Sequence, residues 1–139
     1  MSLPENQRIE LKLQEEILKS EDALVKWIQT ALDDKQSYND LEEAQFRNLV
    51  RVAATTESPE VIKNFLRYQV GREKKWGRGE GSLAEKIIQN IDTEIQNQAK
   101  SICDSVNGSA SKFKSIWIEL IRRYLGYGAR YLKYLNDGQ

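Results

Sequence analysis

Apolar residues recur at helical spacing along nearly the whole chain. Ile9, Leu13, Ile17, Leu24 and Ile28, with Trp27 beside them, predict a first helix over about residues 5–32. The polar run Asp33-Asp34-Lys35-Gln36-Ser37 ends it. Asp40, with Glu43 three residues on, has the pattern of a capping box, and Leu41, Ala44, Leu49, Val52 and Ala53 mark one face of a second helix to about residue 54. Ser58-Pro59-Glu60 is the clearest start: a capping hydroxyl, a proline where no amide is needed and a carboxylate at the positive dipole end. Val61, Ile62, Phe65, Leu66 and Tyr68 follow as apolar positions of a third helix, and Gly71 with Trp76-Gly-Arg-Gly-Glu-Gly81 opens a loop. Ser82-x-x-Glu85 starts a fourth, carrying Leu83, Ile87, Ile88, Ile91, Ile95 and Ile102.

After a loop around Asn107-Gly108, the last helix spans about residues 111–135 and has the most regular pattern. Phe113, Trp117, Leu120, Tyr124, Tyr127, Tyr131 and Tyr134 alternate steps of four and three down one face. No strand-like alternation competes anywhere. The fold expected is all-α, a compact bundle of about five helices, with the third and last at its centre and Phe65 and Trp117 in the core. Gly126 and Gly128 inside a helix cost about 1 kcal/mol each relative to alanine, which predicts close packing there. The organisation expected is one domain, an acidic N-terminal helix over residues 1–36 joined to a helical core over 37–135.

Composition narrows the chemistry. The 139 residues contain no histidine and one cysteine, which excludes Ser-His-Asp, Cys-His and histidine–metal sites, an intramolecular disulfide and a zinc-cysteine cluster. A lone Cys103, a polar N-terminal stretch and no apolar run of about 18 residues predict a cytoplasmic protein without a membrane partner. Glu15-Glu16, Asp33-Asp34 and Glu42-Glu43 are adjacent pairs whose side chains diverge by about 100° on a helix, so they do not converge on a metal. Neither a cofactor nor a catalytic set is expected.

The net charge of zero hides an uneven distribution. Residues 1–43 balance at −6, 44–80 at +4, 81–111 at −2 and 112–135 at +5. Arg47 and Arg51 share a face of the second helix. Lys63, Arg67 and Lys74 line the third, with Arg72 displaced from them. Lys74, Lys75 and Arg78 belong to a glycine-rich loop carrying Trp76, and Arg122, Arg123, Arg130 and Lys133 sit between the tyrosines of the last helix. Spaced cations suit a polyanionic backbone, because each neutralised phosphate releases counterions and arginine adds bidentate geometry. The same residues also fit a solvated helix surface, or ion pairs with the acidic first helix.

Three segments in order carry a resemblance: Gln45-Phe46-Arg47-Asn48-Leu49, then Asn64-Phe65-Leu66-Arg67-Tyr68-Gln69-Val70-Gly71-Arg72, then the aromatic-rich Arg123-Tyr124 to Tyr134-Leu135. Over about residues 41–135 the chain resembles the small, Csm-type helical subunit of type III CRISPR RNA-guided effector complexes. The resemblance implies a helical bundle without nuclease activity, stacked in copies beside the guide–target duplex and serving antiviral defence. It places Arg47, Arg67 and Gly71-Arg72 at the family's basic positions, and Arg130 and Lys133 in its basic, aromatic last-helix region. The expected partners are guide and target RNA, the other effector subunits and further copies of the chain. The competing expectations are a protein–protein adaptor with no nucleic-acid binding and, less well supported by the residues, a carboxylate–metal enzyme.

Overall fold

The computed structural model describes residues 3–138. In chain order it contains α1 (Glu5–Lys19), α2 (Glu21–Asp33), a 3-10 turn (Lys35–Ser37), α3 (Glu43–Thr55), α4 (Pro59–Arg72), α5 (Leu83–Asn90), a π turn (Ile91–Ile95), α6 (Gln96–Ser105) and α7 (Ala110–Asp137). The chain is 80% helical with no strand among the described residues. The five expected rods are present, and two of them are interrupted.

The first rod breaks at Ser20. Its hydroxyl donates to the Glu16 carbonyl at 3.0 Å and accepts from the Gln98 amide at 2.9 Å, while its N–H turns back to the Ile17 carbonyl. Such back-bonding by a buried serine competes with the helical ladder and bends the axis. The fourth rod keeps right-handed helical backbone from Asn90 to Gln96, through the π turn. The second rod starts later than its sequence signal. Asp40 takes a left-handed φ of 48°, and the capping box forms instead between Glu42 and Gln45.

α7 is the centre of the bundle and packs most extensively against α2 and α3, then α6. Leu24, Ile28 and Leu32 of α2, Phe46 and Leu49 of α3, and Leu120, Ile121, Tyr124, Leu125 and Leu132 of α7 are completely enclosed. The expectation that the third rod shares the centre is corrected, because α4 lies at the side against α3 and α5. Its apolar residues divide between two stripes: Ile62 and Leu66 face inward, while Val61 and Tyr68 are exposed and Phe65 is only half-buried. Trp117 is also half-buried, with its indole N–H on the Ile91 carbonyl at 2.9 Å. Leu24, Ile28, Ala31 and Leu32 of α2 belong to the same core cluster as the later helices.

Of the two helical glycines, only Gly128 marks a close crossing. A Cβ there would stand 2.6 Å from Phe46 Cζ and 2.8 Å from Ile28 Cγ1, whereas one at Gly126 meets open space. The loop after α4 is held rather than flexible. Trp76 is fully buried with its ring 5.5 Å from that of Phe46, and its carbonyl accepts from the Ala84 N–H. Gly77 follows at φ 78°, where a Cβ would lie 2.2 Å from the Ser37 carbonyl oxygen.

Candidate nucleic-acid interface

α4 supplies the most coherent basic surface. Ser58 accepts from the Val61 N–H at 3.3 Å and Pro59 occupies the first turn, which fixes the helix start. Burial of Ile62, Lys63, Leu66 and Gln69 then turns Val61, Asn64, Arg67, Tyr68, Gly71 and Arg72 to solvent. Helical side chains lean toward the N-terminus, so Arg72 falls over Tyr68 and Tyr68 toward Phe65. The guanidinium carbon lies 5.6 Å from the Tyr68 ring centroid, and that ring is 6.4 Å from the ring of Phe65 at 42°.

Arg67 is exposed beside this ladder and makes no hydrogen bond or ion pair among the described residues; its charge acts at a distance on Glu60. Beyond the helix, Lys74 and Arg78 project from the pinned loop, exposed and with no side-chain partner among the described residues. Lys75 is partly engaged, donating to the Asp40 carbonyl at 3.1 Å, and the backbone carbonyls of Lys74 and Lys75 both accept from Asn39. The loop's shape is therefore set by Trp76, Gly77 and Asn39, which leaves Lys74 and Arg78 facing water.

The other sequence-selected cations divide in two. Among the described residues Arg51 bonds only the Asn48 amide oxygen, at 2.6 Å, and Arg130 is exposed and unpaired. Arg47 is held by Glu43 at 2.7 Å and Lys133 by Asp137 at 2.7 Å. Three further residues of the expected set are engaged within the fold. Lys63 is buried between Asp92 at 2.8 Å and Glu60 at 2.7 Å. Burial depresses its pKa, but the hydrogen bonds and charges of the two carboxylates outweigh this and raise it. Arg122 closes the end of α3, donating to the carbonyls of Ala53 (2.8 Å) and Thr56 (2.9 Å) and pairing with Glu57. Arg123 ties α7 to α2 through Glu21 at 2.8 Å and also binds Glu119 at 2.9 Å.

The acidic N-terminal rods are committed elsewhere. Glu10 pairs with Lys112, Glu21 with Arg123 and Asp34 with Lys86, so they neutralise α5 and α7. No ion pair among the described residues joins α1 or α2 to α4.

Sequence periodicity gave no sign of the polar seam at the π turn. There Asn90 donates to the Tyr124 hydroxyl at 2.8 Å, the Ile91 carbonyl accepts from Trp117 and Asp92 binds Lys63. Burial pushes the Tyr124 hydroxyl well above its ordinary pKa, against the opposing Asn90 bond. All of these partners are internal, so the seam joins α4, the fourth rod and α7.

Two surface features complete the picture. An open groove of about 630 Å³ runs beside α1, lined by Leu3, Ile9, Leu11 and Lys112 among others. Leu11 and Leu18, seven residues apart on this acidic helix, are more than half exposed. Among the described residues, no group of three or more acidic or cysteine side chains is arranged to hold a metal ion, and no helix is long and apolar enough to cross a membrane. Comparison with known proteins returns no matching family model, curated protein or solved structure.

Proposed function

We propose that this chain is a non-catalytic RNA-binding subunit that holds the sugar-phosphate backbone on the exposed side of α4 and the loop after it. The observation that carries the reading is the run Arg67, Arg72, Lys74 and Arg78: exposed cations on α4 and the loop after it that make no ion pair among the described residues. Uncompensated cations are available for phosphate at little desolvation cost, unlike Lys63 or Arg123, whose charges are already spent internally. The resemblance of residues 41–135 to the small subunit of type III CRISPR effector complexes supports the same assignment, with guide or target RNA as ligand and the remaining effector subunits as neighbours. In such a complex base pairing between guide and target supplies sequence specificity, and this chain supplies backbone contacts.

The test is the salt dependence of RNA binding by the full chain. About four phosphates on a single strand give a slope of log K against log salt near −3, at roughly 0.7 per phosphate. Arg67→Ala or Arg78→Ala lowers affinity alike for all sequences and flattens the slope by about 0.7. Lys63→Met, which alters an internal pair, leaves the slope unchanged. A salt-independent or sequence-selective interaction contradicts the reading. The exposed Leu11 and Leu18 favour a second role at a different place, contact of α1 with a protein neighbour. That role is compatible with RNA on α4 and becomes the main one if no RNA binds.

A further inference from the structure

We infer that the Phe65–Tyr68–Arg72 ladder is a stacking platform for unpaired nucleobases, which makes single-stranded RNA the ligand class of this surface. The inference rests on the RNA-binding reading and adds a base contact to its phosphate contacts.

Tyr68 is 57% exposed, so its ring contributes little to the packing of α4. It is nevertheless flanked on its own helix. The ring of Phe65, half-buried against the core, lies 6.4 Å away, and the Arg72 guanidinium carbon lies 5.6 Å from the Tyr68 centroid. A tyrosine flanked in this way loses little conformational freedom when a planar ligand settles on it. Arginine over an aromatic ring offers cation–π attraction that extends to a base placed in the same stack.

Charge identifies the planar ligand. The ladder is flanked on its own helix by the unpaired Arg67 and followed by Lys74 and Arg78. A lone apolar partner has no use for that concentration of positive charge, whereas a nucleotide brings a π-face and a phosphate together. Every base has such a face, so the contact is tolerant of sequence. In a duplex the faces are occupied by neighbouring base pairs, and Tyr68 has nothing to stack on.

The experiment is fluorescence anisotropy of the full chain with three labelled probes: a ten-nucleotide uridine oligomer, an abasic oligomer of the same length and charge, and a blunt ten-base-pair RNA duplex. The uridine oligomer is expected to bind about tenfold more tightly than the abasic one, a typical value for one stacked base, and more tightly than the duplex. Tyr68→Leu removes the ring from an exposed site without disturbing the core. It should erase the preference for uridine over abasic probe and leave the salt slope intact. Tyr68→Trp should retain that preference, and Arg67→Ala should weaken both single-stranded probes together. Equal binding of the uridine and abasic oligomers, or a preference for duplex, overturns the platform while phosphate binding stands. Failure of all three probes to bind overturns the platform together with the RNA reading beneath it.

Discussion

Substituting alanine at each of the two glycines of α7 tests the packing at the centre of the bundle. Either substitution removes the helix-interior penalty of glycine, a gain of about 1 kcal/mol. At Gly126 the new methyl meets nothing within 4 Å, so Gly126→Ala should stabilise the protein by about that amount. At Gly128 the methyl would lie 2.6 Å from Phe46 and 2.8 Å from Ile28, side chains that are themselves wholly enclosed. Neither neighbour has exposed surface, so neither can swing out to solvent. Overpacking of this kind costs about 1–3 kcal/mol, and two enclosed neighbours place it at the upper end. After the helical gain the net loss is about 2 kcal/mol. The two alanines, two positions apart, should therefore differ by about 3 kcal/mol with opposite signs. Urea denaturation followed by circular dichroism at 222 nm measures both, and in thermal melts the difference corresponds to roughly 10 °C at this chain length. Phe46→Leu should recover part of the loss at Gly128, because the pair is in contact and non-additive. Gly128→Ala as stable as Gly126→Ala would refute the close crossing of α3 and α2 on α7.

Three other outcomes follow from the same structure. Deleting residues 1–36 removes the enclosed Leu24, Ile28 and Leu32, each worth about 2–5 kcal/mol, against a usual total stability of about 5–15 kcal/mol; thermal melts of the truncated chain should show no cooperative transition. Gly77→Ala should destabilise more than Gly79→Ala in urea, because both have positive φ but only the Cβ at Gly77 strikes a carbonyl oxygen. In alkali, the hydrogen bond to Asp33 pushes Tyr131 up to about 12, and burial raises Tyr124 and Tyr38. These folded pKa values exceed the unfolded value near 10, so their stabilisation is complete below pH 10 and is lost as pH rises through the folded values. Tyrosinate absorbance at 295 nm should show delayed ionisation that urea abolishes and Tyr124→Phe reduces; one step near pH 10 for all six tyrosines would contradict this.

The local sequence establishes the helices, most of their boundaries and the apolar face of α7. Periodicity and end signals such as Ser58-Pro59 are local, and each acts within a turn or two of its own helix. It also marked the segment that contains Arg67, Arg72, Lys74 and Arg78, because an excess of charge is visible without knowing the fold. Which charges remain available depends on how the helices pack. Lys63 and Arg67 are four residues apart with the same sign, yet Lys63 is enclosed by Asp92 from another rod while Arg67 meets water. Phe65 and Leu66 read alike as apolar letters, and the side-on placement of α4 turns one to the rim and the other to the core. Trp76 reads as an aromatic on a glycine-rich basic loop, and Phe46, thirty residues earlier, draws it inside. In each case the partner is distant in sequence, and which residues meet depends on how the rods cross; no local pattern carries that information.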